Sequence, residues 1–164
     1  MSNISERLNA LGIELPDVMP AVVDGYAPAF VPFVISGNQV HLSGRLGKKN
    51  GQLLCGKVGD SITLDEARLS ARNTAIELLA VLSSAIGDLN RVERIVKLFV
   101  MVNTGSNFLD PHRVADGASE LLKQVFGERG QHARSAIGVA QVPFGACVEI
   151  DLIVEISNTR QMSN

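Results

Sequence analysis

The residues with the most chemical promise lie close together near the C-terminus: His132-Ala133-Arg134-Ser135-Ala136, then Val142-Pro143, then Glu149. An arginine carries a planar fork of donors that matches a carboxylate bidentately. A glutamate held near it can orient or deprotonate a water. His132 precedes Arg134 by two, so on a strand both project to the same face. It reads either as a supporting or acid/base group or as an interface histidine. Taken singly, Arg134 reads as a surface or interface ion pair and Glu149 as a solvated strand residue. Ser43, beside Gly44, either lines a cleft with its hydroxyl or closes a turn. His41 and His112 lack companions at ligand spacing, so no metal site is expected. Cys55 and Cys147 have apolar neighbours and read as two buried or half-buried free thiols in a reducing compartment. Arg91, Arg94 and Lys97 read as a small solvated basic group at the start of a strand.

The elements that must position these residues are set by the rest of the chain. Its 164 residues, 46% hydrophobic, suffice for one domain with a sizeable core. A 20% charged composition with net charge −2 argues against disorder and against a surface built to coat nucleic acid. No apolar run is long enough to span a bilayer, and the MSNISERL start is no signal peptide, so a cytoplasmic location is expected. Three segments are expected: an N-terminal helix and extended leader (1–29), a main domain (30–156) and a flexible tail (157–164). Residues 2–11 predict a short helix with Leu8 and Leu11 on one side and Gly12 as its stop. Pro16, Pro20, Pro28 and Pro32 then keep the chain extended over the body as far as Phe33.

Residues 33–35 and 39–43, joined by Gly37-Asn38, predict a hairpin, and Asn50-Gly51 predicts a second reversal within 46–54. Thr63 and Glu66 form a capping box ahead of Leu64, Ala67, Ala71, Ala75, Leu78, Leu82 and Ala85, with Gly87 as the stop. Asp110-Pro111 opens a second helix as N-cap and first-turn proline, with a stripe of Val114, Ala118, Leu121, Leu122, Val125 and Phe126. In the strand at 95–102, Val96, Leu98, Val100 and Val102 are expected on one face, with Ile95, Lys97, Phe99 and Met101 on the other. In the last strand Val148, Ile150, Leu152, Val154 and Ile156 must face the helices, which sends Glu149 to the opposite side. That opposite face also carries Phe99, Met101 and Ile153, so part of it is expected to meet a partner. The fold class is α+β: a two-layer domain whose mixed sheet has two helices on one face.

The His-Ala-Arg-Ser-Ala run, the Val-Pro turn nine residues after the arginine and the glutamate six residues after that proline resemble the signature of the YjgF/RidA family. The Ser43-Gly44 pair and the turn at 102–108 also fall where that family has ligand-lining loops. The resemblance spans roughly residues 30–156 and is nearest to a longer subgroup of the family. It implies a chorismate-mutase-like fold and a homotrimer with clefts between subunits. It further implies a cofactor-independent hydrolysis of small enamine or imine acids to 2-keto acids and ammonia. On that reading Arg134 holds the carboxylate and Glu149 handles the water. Ser135 and Ala136 present backbone groups to the nitrogen, and Ser43, Gly44, Phe33, Ser106 and His132 line the site. The expected partner is a small keto or imino acid, with no membrane and no RNA.

Three positions depart from the deaminase branch of that family. Ala136 replaces a cysteine, Phe33 a tyrosine, and Ser106 an asparagine, and each loses a group able to touch a ligand. Two other function classes therefore remain open, a non-catalytic trimer that binds a small carboxylate and an endoribonuclease. The absence of a basic stripe interleaved with aromatics argues against the latter.

Overall fold

Helix α2 (Leu64–Ile86) begins where the sequence says it must. The Glu66 amide donates to the Thr63 hydroxyl at 3.2 Å, and the Thr63 amide donates to the Glu66 carboxylate at 3.0 Å. Free N–H groups of the first turn are thereby satisfied at both ends of the box. The computed structural model describes residues 3–18 and 25–158. In chain order these form α1 (Ile4–Ala10), β1 (Phe33–Ser36), β2 (Gln39–Leu46), β3 (Lys48–Lys49), β4 (Gln52–Leu53) and α2. Then follow β5 (Val92–Asn103), α3 (Pro111–Phe126), β6 (Ala133–Val139) and β7 (Val148–Ile156). Both reversals foreseen at Gly37-Asn38 and Asn50-Gly51 are present. Pro20 of the leader and the tail from residue 159 lie outside the described residues.

The main sheet runs β1-β2-β7-β5-β6, antiparallel except for the parallel pair β5–β6, and α2 and α3 cover one face of it. This is the two-layer α+β arrangement the element order implies. Every apolar residue named for α3 is buried, and so is the whole alternating set of β7. Helix α2 buries a wider band than its stripe suggested. Leu79, Ala80, Val81 and Ile86 are covered, while Leu64 and Ala85 stay half-buried at the margin. Ser70 and Thr74 are buried in that band, each with a partner: Ser70 Oγ donates to the Lys48 carbonyl, and Thr74 Oγ1 to that of Ser70.

Strand β5 corrects the expected faces. Ile95 is fully buried and Val96 is not, because β5 carries one extra residue against β7 between Ile95 and Lys97. A second extra residue lies between Val92 and Arg94. Each bulge turns the period of two into a step of three, so the buried residues run Val92, Ile95, Leu98, Val100, Val102. A period count cannot see a bulge, and from Leu98 onward the expected faces hold.

Other local expectations need smaller corrections. Asp110 sits at the N-cap of α3 but its side chain caps nothing there, and lies 3.8 Å from both His112 and Arg113. Cys55 is exposed, its thiol donating to the Phe144 carbonyl at 3.4 Å, whereas Cys147 is buried; both are free. Arg91 is no merely solvated cation, since it donates to the carbonyls of Ile86 and Ser157. Lys57 ties the loops at one sheet end, its Nζ donating to buried Asn103 Oδ1 at 2.7 Å and to the Ala140 carbonyl at 2.8 Å.

The two helices are in close contact at Gly117. A Cβ there would overlap the Arg68 carbonyl of α2, which is backbone and cannot swing aside. Gly117→Ala is therefore expected to destabilise the fold, the overlap costing about 1–3 kcal/mol and outweighing the helix-propensity gain of about 1 kcal/mol. Urea unfolding reads the difference, and an unchanged or raised midpoint would show slack between the helices.

Candidate functional site

Strand β6 is an edge strand, and its register against β5 pairs Leu98 with Arg134. Partners in a parallel pair share a face, so Arg134 lies on the helix side, at the rim of the core. Its Nη1 donates to Asp116 Oδ1 at 2.8 Å and to Ser119 Oγ at 3.1 Å, both on α3. His132 reaches the same hydroxyl: Ser119 Oγ and His132 Nε2 are 3.0 Å apart, and His132 Nδ1 is 2.7 Å from the Gly130 carbonyl. A carbonyl only accepts, so Nδ1 carries the proton and Nε2 accepts from Ser119. Burial pulls the His132 pKa below its ordinary value, and the Arg134 charge adds to that despite the bond to Gly130. The imidazole is thus neutral at pH 7. His132 and Arg134 share a face, as their spacing required.

Glu149 faces the other way. It pairs with Met101 on β5 and Leu46 on β2, on the side of the sheet that α2 and α3 leave open. Its carboxylate lies over Gly44, where a Cβ would overlap Oε1. An extra residue in β2 between Leu42 and Arg45 puts the Ser43-Gly44 pair at that place. Asp151 is two residues on in the same strand. Burial pushes the Glu149 carboxyl above its usual range, and Asp151 adds like-charge repulsion. Burial raises Asp151 as well, with Lys97 pulling in the opposite direction. Lys97 Nζ donates to Ser135 Oγ at 2.9 Å, so Ser135 and Lys97 belong to this face.

The nominated residues thus fall into two groups that one chain does not bring together. Arg134 and His132 gather on the helix side, with Ala136 on the same side of β6 packed at the core margin. Ser43, Gly44, Ser135 and Glu149 belong to the open face or its border. Ser43 makes two bonds to the segment just ahead of β1, its amide to the Pro32 carbonyl at 2.9 Å and its hydroxyl to that of Val31 at 2.7 Å. Phe33 opposes buried Leu42 and packs against the core, so its ring is part of the hydrophobic layer. Ser106 is exposed in the turn after β5. Asp116, Ser119 and Lys97 were missed. Asp116 and Ser119 read in sequence as the solvent side of an amphipathic helix, and only the lie of α3 beside β6 reveals their task. Among the described residues, no three His, Cys, Asp or Glu side chains come together as a metal site would require. None of the described helices is long and apolar enough to cross a membrane.

The family profile described as "YjgF/chorismate mutase-like, putative endoribonuclease" matches residues 5–156. Protein TCP17 of Trypanosoma cruzi is 45% identical over 159 residues, covering 94% of this chain and 95% of that protein. Among solved structures, Atu1372 of Agrobacterium tumefaciens, whose function is unknown, superposes with a TM-score of 0.83 at 40% identity over 94% of each chain. A protein of Shewanella oneidensis named a putative endoribonuclease gives 0.86 at 30% identity, over 94% of this chain and 100% of that one. RidA from an Antarctic Psychrobacter is more distant, with a TM-score of 0.55 at 26% identity over 86% and 96% of the chains.

The two raised carboxyls leave a signature in stability. Folding favours their protonated forms, so the stability they contribute is present below the ordinary values of 4.5 for Glu149 and 3.8 for Asp151. It is lost as pH rises through the higher folded values. Glu149→Gln should therefore gain stability relative to wild type as pH rises from 4.5 through the higher folded value, read as a widening gap in urea midpoints. A gap that stays flat or narrows over that interval contradicts the burial argument.

Proposed function

The chain belongs to the YjgF/RidA family, and from that premise we propose that it hydrolyses small 2-imino or enamine acids at clefts between copies of itself. The observation that carries the reading is Arg134: a half-buried guanidinium, held on one side by Asp116 and Ser119, at the open edge of the sheet. Such a fork takes a carboxylate bidentately. The Glu149 carboxyl, its pKa raised by burial and set beside Gly44, is a stronger base than an ordinary carboxylate. Because Arg134 and Glu149 occupy opposite sides of one sheet, a site using both takes the arginine from one chain and the glutamate from another. A homotrimer provides three such junctions, and the half-apolar face with Phe99, Met101 and Ile153 gives copies a reason to associate.

The chemistry asks little more of the protein. Glu149 takes a proton from water as the oxygen adds to the C=N carbon and passes it to the nitrogen, giving a carbinolamine and the carboxylate again. It then carries the hydroxyl proton to the amino nitrogen as the C–N bond breaks, releasing ammonia and the 2-keto acid. The imine carbon is already electrophilic, so positioning, an oriented water and a protonated nitrogen suffice. Ala136 and Phe33 bring no thiol or hydroxyl, which leaves the reaction to Arg134, Glu149 and backbone groups of the β6 edge.

Arg134→Ala should abolish binding of 2-ketobutyrate by calorimetry while the melting temperature stays close to wild type, because a partly exposed ion pair is worth about 0–1 kcal/mol. Glu149→Gln should keep the affinity and lose ~10²–10⁴-fold in the accelerated loss of enzymatically generated 2-iminobutyrate. Sedimentation should give a mass near three chains. Unaltered keto-acid affinity in Arg134→Ala, or a monomer at micromolar concentration, contradicts the site. Binding without acceleration of any imine replaces the deaminase by a carboxylate-binding trimer, and cleavage of RNA by nuclease-free protein at physiological salt replaces both.

A further inference from the structure

Among the described residues, Arg134 has partners on only one of its terminal nitrogens. Asp116 Oδ1 and Ser119 Oγ both accept from Nη1, and no described residue accepts from Nη2 or Nε. The free edge is the one that binds a carboxylate side-on. Asp116 is likewise half used. Its Oδ1 is engaged at 2.8 Å, its Oδ2 has no hydrogen-bond partner among the described residues, and its side chain is 41% exposed against 25% for Arg134. The structure therefore presents two opposite charges side by side, each with one unsatisfied face.

We propose that Asp116 reads the positively charged nitrogen of a 2-imino or 2-amino acid whose carboxylate lies on Arg134, so that the site selects zwitterions over 2-keto acids. The proposal rests on the reading of Arg134 as the carboxylate anchor. In such a ligand C2 carries both the nitrogen and the carboxylate, and Asp116 lies beside Arg134, its Oδ1 2.8 Å from Nη1.

The surrounding charges leave the negative pole available. Arg68 feels the field of Asp116 but is paired with Glu120 at 2.6 Å. His132, with its pKa lowered, adds no second cation beside Arg134. The Ser119 hydroxyl donates to His132 Nε2 while accepting from Arg134, which fixes the guanidinium without covering its free edge. A carboxylate next to an imine nitrogen also favours the protonated iminium, the form water attacks more readily. Asp116 thus does for the nitrogen what Arg134 does for the acid group. A 2-keto acid has no nitrogen, and its ketone oxygen would meet the Asp116 carboxylate unfavourably, which eases release of product.

Calorimetry with 2-aminobutyrate and 2-ketobutyrate, equal in carbon skeleton, tests this. Wild type should bind the amino acid about tenfold more tightly or better, the scale of one charge-assisted hydrogen bond. Asp116→Asn should lose that preference by weakening the amino acid and not the keto acid, and Asp116→Glu should restore part of it. Equal affinities in wild type, a preference for the keto acid, or an Asp116→Asn variant that weakens both ligands alike would overturn the proposal. If Asp116→Asn proves unstable in a melting scan, the wild-type comparison alone decides. If wild type binds neither ligand, or if Arg134→Ala leaves 2-ketobutyrate binding unchanged, the carboxylate anchor itself has failed. Binding of 2-ketobutyrate that depends on Arg134, without the preference, sinks only the role of Asp116.

Discussion

A β-strand has two sides, and in a two-layer domain only one of them can be buried by helices. That constraint governs everything of interest in this molecule. Val148, Ile150, Leu152, Val154 and Ile156 must meet α2 and α3, which sends Glu149 and Asp151 to the open face. The parallel pairing of Leu98 with Arg134 applies the same rule to β6 and sends the arginine to the helix side. The two groups best suited to chemistry are separated by the thickness of the sheet, through the same alternation that builds the core. Any account that uses both must look between chains.

Each side carries its own supports. On the helix side, the arginine is anchored through Asp116 and Ser119, and the serine is in turn fixed by a neutral histidine whose other nitrogen is held by a backbone carbonyl. On the open side, a bulge in β2 brings Ser43-Gly44 to Glu149, and a Cβ at Gly44 would force that carboxylate to shift. Burial raises the Glu149 carboxyl above its ordinary value, and the like charge of Asp151 adds to the rise.

Much of this was legible in the chain. The capping box at Thr63 and Glu66, the stripe of α3 and the clean alternation of β7 each have one physical solution. From β7 alone it follows that Glu149 faces away from the helices. The bulges were not legible, because an extra residue in β5 changes the step from two to three without any change in composition. Val96 and Ile95 were exchanged for that reason. Nor could the sequence show which face Arg134 takes, since the residues of β6 do not alternate by polarity and its register is fixed only against β5. Asp116 and Ser119 looked like a solvated flank of α3 because a helix pattern says which residues are polar but not what lies beside them. Ser43 and Phe33 were visible as candidates, yet the Val31 carbonyl and the core take up the groups that made them so.

The central claim is that one functional site needs Arg134 from one chain and Glu149 from another. Subunit complementation tests it without identifying the natural substrate. On this proposal Arg134→Ala and Glu149→Gln chains should each be inactive alone on 2-iminobutyrate, while every junction that joins an intact Arg134 to an intact Glu149 should be whole. Co-expressed in equal amounts, the two chains should recover about a quarter of the wild-type rate per site if they mix at random. A mixture no more active than either variant alone, with mixed assemblies verified by mass, would contradict the shared site.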